Sequence, residues 1–152
     1  RHSGRSRWTP SPSAPFLEGN KRMMNFAEMT PEQRAAYVEK VAALNDQLRA
    51  NINSPAPNIV VMTQGILAMV DSNPIIAVAR QMELMFIVGN YANFSEDNNP
   101  HGERDFGDFE WRGVRCYWKI DYYDRQTEWG SSDPSDPGVT CRVLTILRAD
   151  EY

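Results

Sequence analysis

Polar and apolar positions first fall into a pattern at Thr30-Pro31-Glu32-Gln33, which combines a hydroxyl N-cap, a proline at the first helical position and a glutamine three residues after the cap. Downstream, Tyr37, Val41, Leu44 and Leu48 are spaced by four, three and four, the stripe of one helical face. Ala35, Ala36, Ala42 and Ala43 add helix preference, and Ser54-Pro55-Ala56-Pro57 cannot continue it, so the helix is predicted to end near Asn51. Asn58 to Thr63 is a β-branched run bounded by prolines and Gly65, and reads as a strand. Asp71-Ser72-Asn73-Pro74 opens a second helix that runs to about Val88, where Gly89-Asn90 closes it.

Beyond residue 100 the period becomes two. Val114, Cys116, Trp118, Ile120 and Tyr122 share one face of a strand, and Arg115, Tyr117, Lys119, Asp121 and Tyr123 share the other. With Arg112-Gly113 as a two-residue turn, Trp111 pairs with Val114, Phe109 with Cys116 and Gly107 with Trp118. That register also sets Glu110 beside Arg115 and Arg104 beside Asp121, and lets Trp118 cover Gly107. Val139 to Leu147 is apolar on both faces, as a strand inside a sheet would be. The sum is an α+β domain: an antiparallel sheet of about four strands with two helices packed on one face.

Composition narrows the class. A chain of 152 residues fits one domain, and 41% hydrophobic residues exclude wholesale disorder. The longest apolar run, Ile75 to Val88, contains Arg80, Gln81 and Glu83 and is too short for a bilayer, so no membrane partner is expected. Cys116 and Cys141 cannot make a disulfide framework and are expected to be reduced core thiols of a soluble, cytoplasmic protein. Residues 1–22, rich in Ser, Pro, Gly and Arg, carry a net +4 with no apolar period. They read as a disordered basic tail, a candidate for read-through upstream of Met23-Met24, ahead of a single domain at 23–152. The other 130 residues carry −8, a poor match for a phosphate backbone, so nucleic-acid binding through the folded part is disfavoured.

The chemistry-bearing residues gather around the hairpin. His101, Glu103 and Asp105 follow the turn Asn98-Asn99-Pro100, and Asp121 and Asp124 end the partner strand. A histidine among carboxylates can bind a divalent metal or supply a general base and acid. The spacing is neither H-E-x-x-H nor an EF-hand loop, and no glycine fingerprint for phosphate is present. Three readings stay open for this cluster. It shapes a turn and accepts hydrogen bonds; it is a metal or catalytic set, with His101, Glu103 and Asp105 as ligands and Asp121 beside them; or it belongs to a partner-binding surface. Tyr117, Tyr123 and Trp129, with Lys119 and Asp124, form a candidate aromatic patch for that surface, the alternative being that the rings pack beneath the second helix.

Three blocks of sequence point to a family. Ala43-Leu44-Asn45-Asp46-Gln47-Leu48-Arg49, Val61-Met62-Thr63-Gln64-Gly65-Ile66 and Asn98-Asn99-Pro100-His101-Gly102-Glu103-Arg104-Asp105-Phe106-Gly107 resemble successive blocks of bacterial domain-of-unknown-function family 3768. Trp118-Lys119-Ile120-Asp121-Tyr122-Tyr123-Asp124 and Arg142-Val143-Leu144-Thr145-Ile146-Leu147 are similar to later blocks, so the resemblance spans roughly residues 40–152. It implies a small plasmid- or mobile-element-associated bacterial protein with no established activity. The family pattern N-D-P-H/Y-G-E-H-D-F-G has an acid where this chain has Asn99 and a histidine where it has Arg104. Those departures count against metal catalysis here.

Two functions are therefore expected. The first is a non-enzymatic accessory protein, without cofactor, that binds another protein through the acidic, aromatic hairpin face. The second is a metal-assisted hydrolase built on His101, Glu103, Asp105 and Asp121 with a divalent ion.

Overall fold

The structure is a computed structural model that describes residues 26–152; the expected basic tail at 1–22 lies outside the described residues. A 3-10 turn, Phe26–Glu28, leads into helix α1, Pro31–Ala50. The predicted cap is in place: Gln33 N donates to Thr30 Oγ1 at 3.1 Å, and Thr30 N donates to Gln33 Oε1 at 2.8 Å. Strand β1, Ile59–Met62, is followed by a single helical turn α2, Gln64–Leu67, and by α3, Pro74–Gly89. Asn73 caps α3 by accepting from the N–H groups of Ile75 and Ile76. Strands β2 (Phe106–Trp111), β3 (Val114–Tyr123) and β4 (Cys141–Arg148) complete the fold, with a final 3-10 turn at Ala149–Glu151. The α2 turn went unread because four residues are too few to show a period.

The sheet order is β1-β4-β3-β2. β2, β3 and β4 are antiparallel neighbours, but β1 runs parallel to β4, from Ile59 opposite Val143 to Met62 opposite Ile146. The sheet is mixed, which corrects the expectation of a purely antiparallel one. The long excursion from β1 through α2, α3 and the hairpin gives the chain enough length to return in the same direction. Nothing in the residues of β1 itself records that direction.

The hairpin register is the predicted one, with Trp111 opposite Val114, Phe109 opposite Cys116 and Gly107 opposite Trp118. Arg112 and Gly113 both have positive φ, 53° and 78°, as the tight turn requires. A Cβ at Gly107 would fall inside the Trp118 indole, so the glycine is there for close approach. Two expected charge pairs differ. The ladder stops at Phe106 opposite Lys119, and Arg104, with φ of 53°, turns towards α1 instead of facing Asp121. Arg115 stands opposite Glu110, yet its guanidinium pairs with Asp108 at 2.8 Å.

The core lies between the sheet and the helices. Val41 and Leu48 of α1 and Leu84 and Val88 of α3 pack on Trp118, Ile120, Tyr122, Leu144 and Ile146. The rings of Tyr91 and Phe94 stand edge-on to Trp118 at 5.5 and 6.2 Å. α1 is rotated from its expected stripe: Tyr37 and Leu44 are only half-buried, while Asn45 and Arg49 join Val41, Ala42 and Leu48 inside. Arg49 donates to the carbonyls of Val88 and Tyr91, closing the C-terminal end of α3, and its guanidinium lies 4.7 Å from the Trp118 ring. Cys116 and Cys141 are both buried and free, at opposite ends of the β3–β4 ladder and on opposite faces.

Candidate functional site

A buried polar chain crosses the space between α1 and the sheet. Asn45, with no exposed surface, donates from Nδ2 to the Tyr122 hydroxyl at 2.8 Å and to the Glu103 carbonyl at 2.9 Å. Its Oδ1 accepts from Arg142 Nε at 2.7 Å. The Tyr122 hydroxyl in turn donates to Glu103 Oε1 at 2.8 Å, and the Arg142 guanidinium lies 5.1 Å from the Tyr122 ring. Burial, reinforced by the charges of Glu103 and Asp105, holds the Tyr122 hydroxyl well above the usual tyrosine pKa, so it works as a neutral donor. Burial also lowers the pKa of Arg142, against the pull of Tyr122 and Glu103.

A second, more exposed network fixes the turn before β2 onto α1. Arg104 N donates to Asn99 Oδ1 at 2.8 Å. The Arg104 guanidinium grips Asp46 through Nε at 3.1 Å and Nη2 at 2.9 Å, and reaches Glu39 at 3.1 Å. Hydrogen bonds to Asp46 and Glu39 raise its pKa further. Asn99 and Arg104 thus bond to each other, and Arg104 ties the turn to the helix.

The four residues of the expected hydrolytic cluster are divided. Glu103 is half-buried in the polar chain, and Asp105 is buried beside it, its carbonyl accepting from Ile120 N at 2.9 Å. His101 is exposed. Asp121 lies on the other face of β3 by strand alternation, ion-paired to Lys119 and almost without exposed surface. Among the described residues no three His, Cys, Asp or Glu side chains stand close enough to hold a metal ion.

The expected aromatic patch is also broken up. Tyr117 is half-buried between Phe106 and Tyr152, with ring centroids 5.0 and 5.4 Å away. Lys119 is spent on Asp121, and Tyr123 is half-buried. Asp124 serves a turn: Oδ1 accepts from the N–H groups of Gln126 and Glu128, and its own N–H donates to the Trp129 carbonyl. Trp129 alone of the five stands clear, 72% exposed.

Among the described residues, several large apolar side chains are exposed together elsewhere, on α3. Ile75, Val78, Met82 and Phe86 are 81, 57, 64 and 69% exposed and share one side of the helix, with Ala79 between them. The opposite side supplies Leu84 and Val88 to the core. Charges flank this face: Arg80 pairs with Asp71, while Glu83 accepts from Trp111 Nε1 at 3.0 Å and lies near Arg112. A signal was available in the sequence, since this helix is apolar nearly all the way round, more than one packed face needs. No helix among the described residues is long and apolar enough to cross a membrane.

A protein-family model, described as a protein of unknown function (DUF3768), matches residues 62–151. The match runs from the last residue of β1 to the closing 3-10 turn, and leaves α1 and the Ala43–Arg49 block outside it. No curated protein and no solved structure matches the chain.

Proposed function

The chain belongs to the DUF3768 family of proteins of unknown function, and we propose that it is a non-catalytic protein-interaction module whose contact surface is the open face of α3 and whose partner is a second copy of itself. The observation that carries this reading is the stripe of Ile75, Val78, Met82 and Phe86, four large apolar side chains left in water by a fold that has a core to put them in. At those exposures they leave about 500 Å² open, so two copies face to face would bury on the order of 1,000 Å², the lower bound for a specific interface.

The spacing favours a self-complementary contact. Ile75, Ala79, Met82 and Phe86 are separated by four, three and four residues, which reads the same in both directions. An antiparallel two-fold pairing of α3 sets each Ile75 against Phe86 of the other copy and each Ala79 against its Met82, large against small at the centre. What supports interaction over hydrolysis is the division of His101, Glu103, Asp105 and Asp121 between solvent, the helix-facing layer and the far side of the sheet. The family resemblance adds a bacterial, mobile-element-associated accessory role to the same proposal.

Sedimentation velocity over roughly 1 to 100 μM tests it, a range that spans common dissociation constants for interfaces of this size. The expected result is a concentration-dependent dimer that Met82→Glu and Phe86→Glu convert to monomer with unchanged circular dichroism. A wild type that stays monomeric throughout rejects the second copy as partner. A dimer that survives both substitutions rejects α3 as the surface.

A further inference from the structure

At the C-terminal end of α1 the loop carrying Pro55 and Pro57 borders a half-open cavity of about 290 Å³. Leu44, Leu48 and Pro57 supply apolar wall, Thr140 and Asn58 polar wall, and Arg142 borders it from the sheet. No acidic residue lines it, although the chain outside its first 22 residues carries −8.

Arg142 is only 2% exposed, and the partners of its guanidinium are neutral: Asn45 Oδ1 on Nε and the Pro134 carbonyl on Nη2. Nη1 has no hydrogen-bond partner among the described residues. Glu103 and Asp133 act on the guanidinium only through space, because Glu103 is held by the Tyr122 hydroxyl and Asp133 by Ser135. Nη1 is not among the fully buried unpartnered atoms of the described residues, so it keeps a little surface at the cavity that Arg142 lines, where an anion would replace water as its partner. Asn58 adds a second donor: the Arg142 backbone N–H holds its Oδ1 at 2.8 Å, which leaves the amide NH₂ for the cavity it lines.

We propose that this cavity binds a small organic carboxylate, its head on Arg142 Nη1 and the Asn58 amide, and its short apolar body against Leu44, Leu48 and Pro57. A single cation with one uncommitted nitrogen suits a monoanion; a phosphate would demand more donors. The volume, at the low end for ligand pockets, limits the guest to about ten non-hydrogen atoms. The site is separate from the α3 surface and stands whether or not the chain dimerises.

Benzoate and its neutral isostere benzamide are the probes, titrated into the full chain and followed by amide chemical shifts. Benzoate is expected to perturb the 54–58 loop and residues 140–142, and benzamide to bind at least about tenfold more weakly, the loss of one charge-assisted contact. Arg142→Gln should abolish benzoate binding, but it also disturbs the Asn45 network and can unfold the chain. Gln47→Trp, on the exposed side of the lining, is the second variant: its indole fills the cavity without touching Arg142, and it should weaken benzoate by at least about tenfold while the fold persists. Equal binding of benzamide, benzoate binding that survives Gln47→Trp, or no benzoate response up to about 10 mM each overturns the proposal.

Discussion

Replacing Asn45 by alanine breaks three hydrogen bonds in a place water does not reach, and the cost can be worked from what each partner loses. Arg142 Nε loses its acceptor at 2.7 Å and the Glu103 carbonyl loses a donor at 2.9 Å. The Tyr122 hydroxyl loses a donor at 2.8 Å but keeps its own bond to Glu103 Oε1. A stranded buried polar group costs about 1–3 kcal/mol, with charged groups at the top of that range. Arg142 therefore sits near 3, the Glu103 carbonyl in the middle and Tyr122 near the bottom. Alanine returns about 0.5 kcal/mol through better helix propensity. The net loss should be about 5.5 kcal/mol, comparable to the low end of the roughly 5–15 kcal/mol that holds a domain together. Urea unfolding followed by tryptophan fluorescence measures it, with Gln47→Ala, two residues along the helix and exposed, as a control that changes stability by less than about 0.5 kcal/mol. A double-mutant cycle with Tyr122→Phe should show coupling of at least about 1 kcal/mol, because the two side chains share one network. A loss below about 1.5 kcal/mol for Asn45→Ala, or additive behaviour in the cycle, would refute the claim that this chain of groups acts as a unit.

Lys119→Ala should cost about 2–4 kcal/mol despite its position on the outer face, because it strands the buried Asp121 carboxylate, whose Oδ1 has no partner among the described residues. Arg115→Ala, which breaks only an exposed pair with Asp108, should cost less than about 1 kcal/mol in the same denaturation assay, and equal losses would contradict the difference in burial. Burial pushes the Cys116 thiol up to about 11 and raises Cys141 in the same direction, so a disulfide reagent at pH 8 should react with both far more slowly in the native protein than in urea. Since an unfolded thiol ionises near pH 9 and the folded Cys116 does not until about 11, this thiol adds no pH dependence below pH 9 and lowers stability from there to 11, with buried Tyr122 adding the same sign above pH 10. A urea midpoint that holds or rises across that alkaline range would show the assigned burial to be wrong.

Helix ends and the hairpin were legible before any coordinates because the interactions that set them span only a few residues. Thr30, Pro31 and Gln33 settle their cap among themselves, Asn73 does the same three residues from Ile76, and the Arg112-Gly113 turn dictates which residues of β2 and β3 oppose each other. Alternation then told which face of β3 is buried, down to Trp118 over Gly107. The candidate site was less legible. His101, Glu103 and Asp105 are neighbours in the chain, but the turn that carries them points them into different surroundings. The partners that give Glu103 and Arg104 their roles, Asn45 and Asp46, are 58 residues away.

The amino-acid sequence by itself determined local order: where helices start, how the hairpin registers, which class of fold can form. Tertiary structure decided what no local window contains. The direction of β1 followed from how the chain returned to the sheet, since its four residues suit either neighbour relation equally. A modest rotation of α1 put Asn45 and Arg49 inside, where distant groups satisfy them: Glu103, Tyr122 and Arg142 for Asn45, and the Val88 and Tyr91 carbonyls for Arg49. On α3 both sides are apolar, so the sequence could not say which one the sheet would take. The fold covered Leu84 and Val88 and left Ile75, Met82 and Phe86 in water, because a helix lying on a sheet can bury only one side.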